Sequence, residues 1–151
     1  MSKLIVLQGF PYSGMKIVSS AWKNNPRIVD KKRVVVSRKE LCKTLFGSYY
    51  TLKLQEKKIL TKTMTFLVKT FIGKGFEVMI EDHNLSEKEM DKWTIMAMKF
   101  GVKLEITKMP FNPLQKALIE NEDMKLYTAQ SIIKLYRKYG PKQQGKNKNS
   151  E

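Results

Sequence analysis

Nine residues near the amino terminus, Gly9-Phe10-Pro11-Tyr12-Ser13-Gly14-Met15-Lys16-Ile17, come close to a pattern that grips phosphate. In GxxxxGK[ST], glycines let backbone amides wrap the phosphates, a lysine reaches the β and γ oxygens, and a hydroxyl holds Mg²⁺. Here the two glycines are correctly spaced, but Met15 stands where the lysine belongs and Lys16 where the hydroxyl belongs. Shifting the motif by one residue recovers a lysine without the hydroxyl. It also turns that side chain about 100° around the helix, away from the amides. The glycine spacing by itself specifies a bend rather than a nucleotide site.

Other reactive side chains are few. Cys42 is the one cysteine and His83 the one histidine, so neither an internal disulfide nor a Cys/His zinc site can form. Cys42 reads as a small packed side chain. His83, with no nucleophile pattern beside it, reads as a plain loop histidine. Asp82 reads equally as a site carboxylate or as a polar cap at a strand end. The Tyr49-Tyr50 pair fits core packing, or stacking on a base if exposed.

Charge is the outlying property. Twenty-nine Lys and Arg against fourteen Asp and Glu give +15 over 151 residues. Such an excess implies an anionic partner, nucleic acid, an acidic protein or anionic lipid; a lysine-heavy composition with no partner is the plain alternative. Only Arg27, Arg33, Arg38 and Arg137 are arginines, which suits diffuse attraction to a phosphate backbone better than bidentate clamping. The candidate polyanion contacts are Lys31, Lys32, Arg33, Arg38 and Lys39, with further basic groups at Lys57, Lys58 and Lys62 and at Lys142, Lys146 and Lys148. No apolar run approaches the ~20 residues of a membrane helix. No signal peptide is evident, so a cytoplasmic protein without a membrane partner is expected.

Placing these residues requires a scaffold, and the hydrophobic pattern provides one. Lys3–Gln8 and the β-branched Arg33–Val36 read as strands, and Phe76–Glu81 and Val102–Thr107 as alternating ones. Between them lie helical stretches of about 14–23, 51–72 and 86–101, and Ser37 with Glu40 and Ser86 with Glu89 form capping boxes. Asn112-Pro113 reads as a cap followed by a first-turn proline, and a last helix spans about 128–139. Trp22, Trp93 and the nine methionines fall at core spacings. Strand–helix–strand repetition implies an α/β fold with a parallel sheet and ligands beyond the strands' carboxyl ends. Residues 1–140 read as one domain, and 141–151 as a disordered basic tail.

With the elements in order, Gly9-Phe10-Pro11-Tyr12-Ser13-Gly14 resembles the GxPxSGK[ST] loop of phage-type polynucleotide 5′-kinases. Ser37-Arg38-Lys39-Glu40-Leu41 is similar to that family's (N/S)RDxhR segment, and Asp82-His83-Asn84-Leu85-Ser86 to its DTNLxxxxR element. The resemblance runs from Lys3 to about Tyr139. It implies a P-loop kinase-like three-layer fold with four to five parallel strands flanked by helices. It also marks Gly9, Pro11, Ser13, Gly14 and Lys16 as a vestigial phosphate loop, and Asp82 and Asn84 as retained family positions.

By the same resemblance, most of the phosphoryl-transfer apparatus is absent. Lys39 stands where the catalytic aspartate belongs, and an ammonium has no lone pair with which to accept a proton. Cys42 falls near the substrate-phosphate arginine. The lid segment Lys116–Lys125 contains three acids and no arginine. The expected function is therefore a non-catalytic pseudokinase that binds a polyanion, either nucleic acid or an acidic host protein. A phage origin would make it a host-takeover or inhibitor protein in the host cytoplasm. On this reading there is no catalytic residue, metal or cofactor. The alternative is an active ATP- and Mg²⁺-dependent polynucleotide 5′-hydroxyl kinase that uses Lys16.

Overall fold

The computed structural model describes residues 2–28, 32–47 and 52–141. Lys31, the Tyr49-Tyr50 pair and the basic tail from 142 onward lie outside the described residues. Four strands, β1 (Lys3–Gln8), β2 (Arg33–Ser37), β3 (Glu77–Glu81) and β4 (Lys103–Lys108), form one parallel sheet in the order β2-β3-β1-β4. Among the described residues six helices flank it: α1 (Met15–Lys23), α2 (Arg38–Phe46), α3 (Leu54–Gly73), α4 (Glu87–Phe100), α5 (Leu114–Met124) and α6 (Ala129–Tyr139).

Alternate residues of the central strands feed two cores. Leu4, Val6, Val78 and Ile80 pack with Met64, Val68 and Ile72 of α3 and with Trp93, Met96 and Ala97 of α4. On the opposite face, Ile5, Leu7 and Met79 pack against Met15, Val18 and Trp22 of α1. A third cluster joins Phe10 to Ala117 of α5 and to Ile132 and Tyr136 of α6, beyond the carboxyl end of β1. Helices on both faces of a parallel sheet make the three layers that the sequence implied.

The two serines cap as read, but the reciprocal halves of the boxes do not form. The Glu40 side chain reaches Lys16 instead, and the Glu89 carboxylate accepts from Ser86 Oγ. Ser37 accepts the Glu40 amide and Ser86 accepts the Glu89 amide, so α2 and α4 start where the sequence places them. Asn112 is different. Pro113 is the residue that flanks α5, while the buried Asn112 side chain donates to the Pro11 carbonyl at 2.9 Å and its own carbonyl accepts from Tyr136 Oη. Asn112 therefore ties α6 to the loop after β1 instead of capping a helix. β3 also departs from simple alternation: Glu77 and Glu81 are both buried, because Arg33 pairs with Glu77 at 3.0 Å and two serines bond Glu81. Met98 and Met124 are exposed, so helical spacing overstated the methionine core.

Candidate functional site

The loop between β1 and α1 turns sharply at the carboxyl end of the sheet. Tyr12 (φ 59°) and Gly14 (φ 92°) both adopt left-handed backbone conformations. Gly9 donates its amide to the His83 carbonyl at 3.0 Å, and a Cβ at Gly9 would stand 2.8 Å from Met109 Cβ. Glycine is therefore needed there for the close approach of the segment after β4. Tyr12 is held by its hydroxyl, which donates to Asn121 Oδ1 of α5 at 2.6 Å. In front of the loop lies a cavity of about 340 Å³, lined by the loop itself, Arg38, Lys39, Glu81, Asp82, His83, Glu120 and Tyr127.

The structure gathers Pro11, Ser13, Gly14, Lys16, Arg38, Lys39 and Asp82 around this one cavity, while Gly9 is set back against His83 and Met109. Their side chains are not equally available. Met15, in the lysine position, packs with Ile5, Leu7 and Met79 beneath the sheet. Lys16 lies within 3.6 Å of Glu40 Oε1. Arg38 Nε bonds Asp82 Oδ2 at 2.8 Å and its Nη2 bonds Thr61 Oγ1 at 2.8 Å, with the Arg38 side chain 18% and the Asp82 side chain 7% exposed. Asp82 Oδ1 also accepts the His83 amide, so the carboxylate caps its own loop as well as pairing with the arginine.

Asn84 lies behind the cavity. It is fully buried with φ 51°, donates to the Leu7 and Asp82 carbonyls, and accepts from Trp93 Nε1 at 2.9 Å. The other basic candidates lie elsewhere. Arg33 clamps Glu77 and the Trp22 carbonyl and stacks 4.7 Å over the Trp22 ring, while Lys32 Nζ lies 5.4 Å from the Phe76 ring centroid.

Sequence reading missed several groups here. Glu81 ends β3 facing α1, where it accepts from Ser19 Oγ at 2.6 Å and Ser37 Oγ at 3.3 Å. Glu120 of α5 adds a second carboxylate, and Tyr127 Oη meets His83 Nε2 at 3.3 Å. A glutamate closing a strand whose three middle residues are apolar was the available signal for Glu81. No local pattern announces the other two.

Burial pushes the His83 imidazole below its ordinary value of 6.5; the Asp82 charge opposes this and Arg38 reinforces it. Both the folded and the unfolded chain therefore carry neutral His83 above about pH 6.5. As pH falls through 6.5 toward the lower folded value, the unfolded chain takes the proton first and stability is lost. The urea midpoint of the protein should fall across that window more steeply than that of His83→Gln. Parallel pH profiles for the two proteins would show that burial does not hold the ring neutral.

No known protein family's model matches this sequence, and no curated protein matches it. Solved structures do. Kti12 of Chaetomium thermophilum, in complex with ADP-AlF3, superposes with a TM-score of 0.72 at 16% identity, over 91% of this chain and 80% of that one. A chain of the Pnkp1/Rnl/Hen1 RNA repair complex gives 0.69 at 17%, over 88% of this chain and 42% of its own length. The fold is that of a P-loop kinase. The Mycobacterium tuberculosis APS kinase CysC, in complex with AMPPNP and APS, gives 0.61 at 10% identity over 80% of this chain and 68% of that one. The present chain thus spans about two fifths of the RNA-repair chains it matches. Within the P-loop kinase fold, the loop after β1 and the cavity described above occupy the carboxyl end of the sheet, where such folds place ligands.

Proposed function

We propose that this chain is a P-loop kinase-fold protein that binds polynucleotide and does not transfer phosphate. The observation that carries the reading is the fate of the two residues that follow Gly14. Met15 packs against the apolar layer, and the exposed Lys16, one position on, lies 3.6 Å from Glu40, so no lysine stands at the position that grips the β and γ phosphates. Phosphoryl transfer depends on a lysine and a metal that neutralise charge on the β and γ phosphates. Around the cavity, three cations (Lys16, Arg38, Lys39) face three carboxylates (Glu81, Asp82, Glu120), which cancels the field a triphosphate needs. These residues do not fit a magnesium nucleotide.

Polynucleotide as the partner is supported by the net charge of +15, carried almost entirely by lysine, and by the fold shared with a chain of an RNA repair complex. An acidic protein is the competing partner. Incubation with Mg-ATP and a 5′-hydroxyl oligonucleotide should label no product, and Lys16→Ala should alter nothing. Retention of a single-stranded oligonucleotide should be firm at about 50 mM salt and fall steeply by about 200 mM, as counterion release requires. Labelled product that disappears with Lys16→Ala would make the chain an active kinase. No retention at low salt would instead transfer the argument to an acidic protein.

A further inference from the structure

The cations of the loop cavity are matched by carboxylates, so the excess positive charge must act elsewhere on the molecule. Helices α3 and α4 cover the same face of the sheet, and Gly73 and Phe100 bring their carboxyl ends together. Between them runs an open groove of about 950 Å³. Each helix has lysines in the same rhythm: Lys58, Lys62 and Lys69 on α3, and Lys88, Lys92 and Lys99 on α4, at i, i+4 and i+11. This spacing keeps each row on one side of its helix over about 16 Å.

Lys69, Lys88, Lys92 and Lys99 line the groove, while Lys58 and Lys62 continue the α3 row along its exposed crest. The acids of the groove, Glu87, Glu89 and Asp91, gather in the first turns of α4, where Glu89 is held by Ser86. Lys92 stands beside Asp91 in the first half of α4, whereas the half toward the helix carboxyl ends has Lys69 and Lys99 and no acid. Lys92 lies 4.3 Å from the Trp93 ring centroid, and Lys62, Lys69 and Lys99 are exposed with no ion pair among the described residues. Apolar groups line the groove as well: Ile95, 63% exposed, stands within the α4 lysine row, and Met96 and Phe100 lie deeper.

We propose that this groove is the polynucleotide-binding surface, holding one strand with its phosphates between the two lysine rows and a base over Ile95. The inference rests on the polynucleotide reading above and moves the contact away from the phosphate loop to the opposite side of β3. Packed helices lie about 8–10 Å apart, a spacing that suits a single strand better than a duplex. Lysine on both rims tracks a backbone without reading sequence, and the apolar groups of the groove give base faces something to cover.

The test is fluorescence anisotropy of a labelled single-stranded oligonucleotide against four proteins. These are the unaltered chain, Lys62→Gln/Lys69→Gln/Lys99→Gln on the two lysine rows that border the groove, the same positions changed to Arg, and Lys103→Gln/Lys108→Gln/Lys134→Gln as an equal loss of charge elsewhere. All six lysines are exposed, so Lys→Gln there, on the helices or on β4, leaves folding within about 0.5 kcal/mol, to be checked by thermal melts. The groove triple should weaken binding by roughly tenfold or more at low salt and flatten the log–log salt slope by about 2. The arginine version should retain binding, and the remote triple should lose far less. Equal losses from the groove and remote triples, or a groove triple that binds normally, would overturn the groove while leaving polynucleotide binding intact. If the unaltered chain binds no strand at low salt, the polynucleotide reading falls and the groove with it.

Discussion

Asn84→Ala should lower the free energy of unfolding by about 4 kcal/mol. Asn84 is 0% exposed and replaces with its own amide the hydrogen bonds that two buried partners would otherwise lack. Alanine leaves Trp93 Nε1 without an acceptor and the Leu7 carbonyl without the Asn84 donor, at about 1–3 kcal/mol for each unsatisfied group. It also places a Cβ residue without a side-chain hydrogen bond at φ 51°, a further cost of about 1–2 kcal/mol. For a domain of this length the melting temperature should drop by roughly 8–16 °C. Urea unfolding with an unchanged m-value and a lowered midpoint is the direct measure. A double-mutant cycle with Trp93→Phe should return a coupling of about 1 kcal/mol or more, since the two side chains share one hydrogen bond. A midpoint within error of the unaltered protein would mean that the Asn84 network does not hold β1 to α4.

Arg38→Met is the second large effect. It leaves the Asp82 carboxylate, 7% exposed, without its cation, and breaking one side of a buried pair costs about 3–5 kcal/mol. Adding Asp82→Asn should recover much of that loss, because the buried charge goes with its partner while an oxygen remains for the His83 amide. The same variant separates structure from binding at this position. If Arg38 serves to hold Asp82 and Thr61, the folded fraction should bind oligonucleotide nearly as well as the unaltered chain. A large loss of affinity at unchanged stability would place Arg38 among the strand contacts instead.

How much was legible depended on sequence distance. The strands, the order of elements and the caps at Ser37 and Ser86 are set by neighbours three or four residues apart, and the structure places them as read. The three loops at the carboxyl end of the sheet were also identified from local residues. What those loops do with their charges was not legible, since every deciding partner is remote. Glu40 reaches Lys16, Asp82 reaches Arg38 across 44 residues, and Ser19 reaches Glu81 across 62. Asn112 looked like a helix cap because Asn before Pro favours one locally, yet its partners, Pro11 and Tyr136, belong to other segments. The lysine rhythm of α3 was visible as charge between apolar residues. Its match on α4 has meaning only once the two helices are known to lie side by side.

Met15 also bears on attempts to install catalysis. Its side chain packs with Ile5, Leu7 and Met79, so the position that would carry a phosphate-gripping amine is a floorboard of the lower core. Met15 is half-buried and also lines the loop cavity, so Met15→Lys would thin that layer while its ammonium reaches into the cavity, and the lost packing weakens the fold. The loss of the grip is thus ratcheted: a lysine at 15 would come at a cost in packing, and Lys16 would still stand where the motif needs a hydroxyl, so one substitution does not restore it.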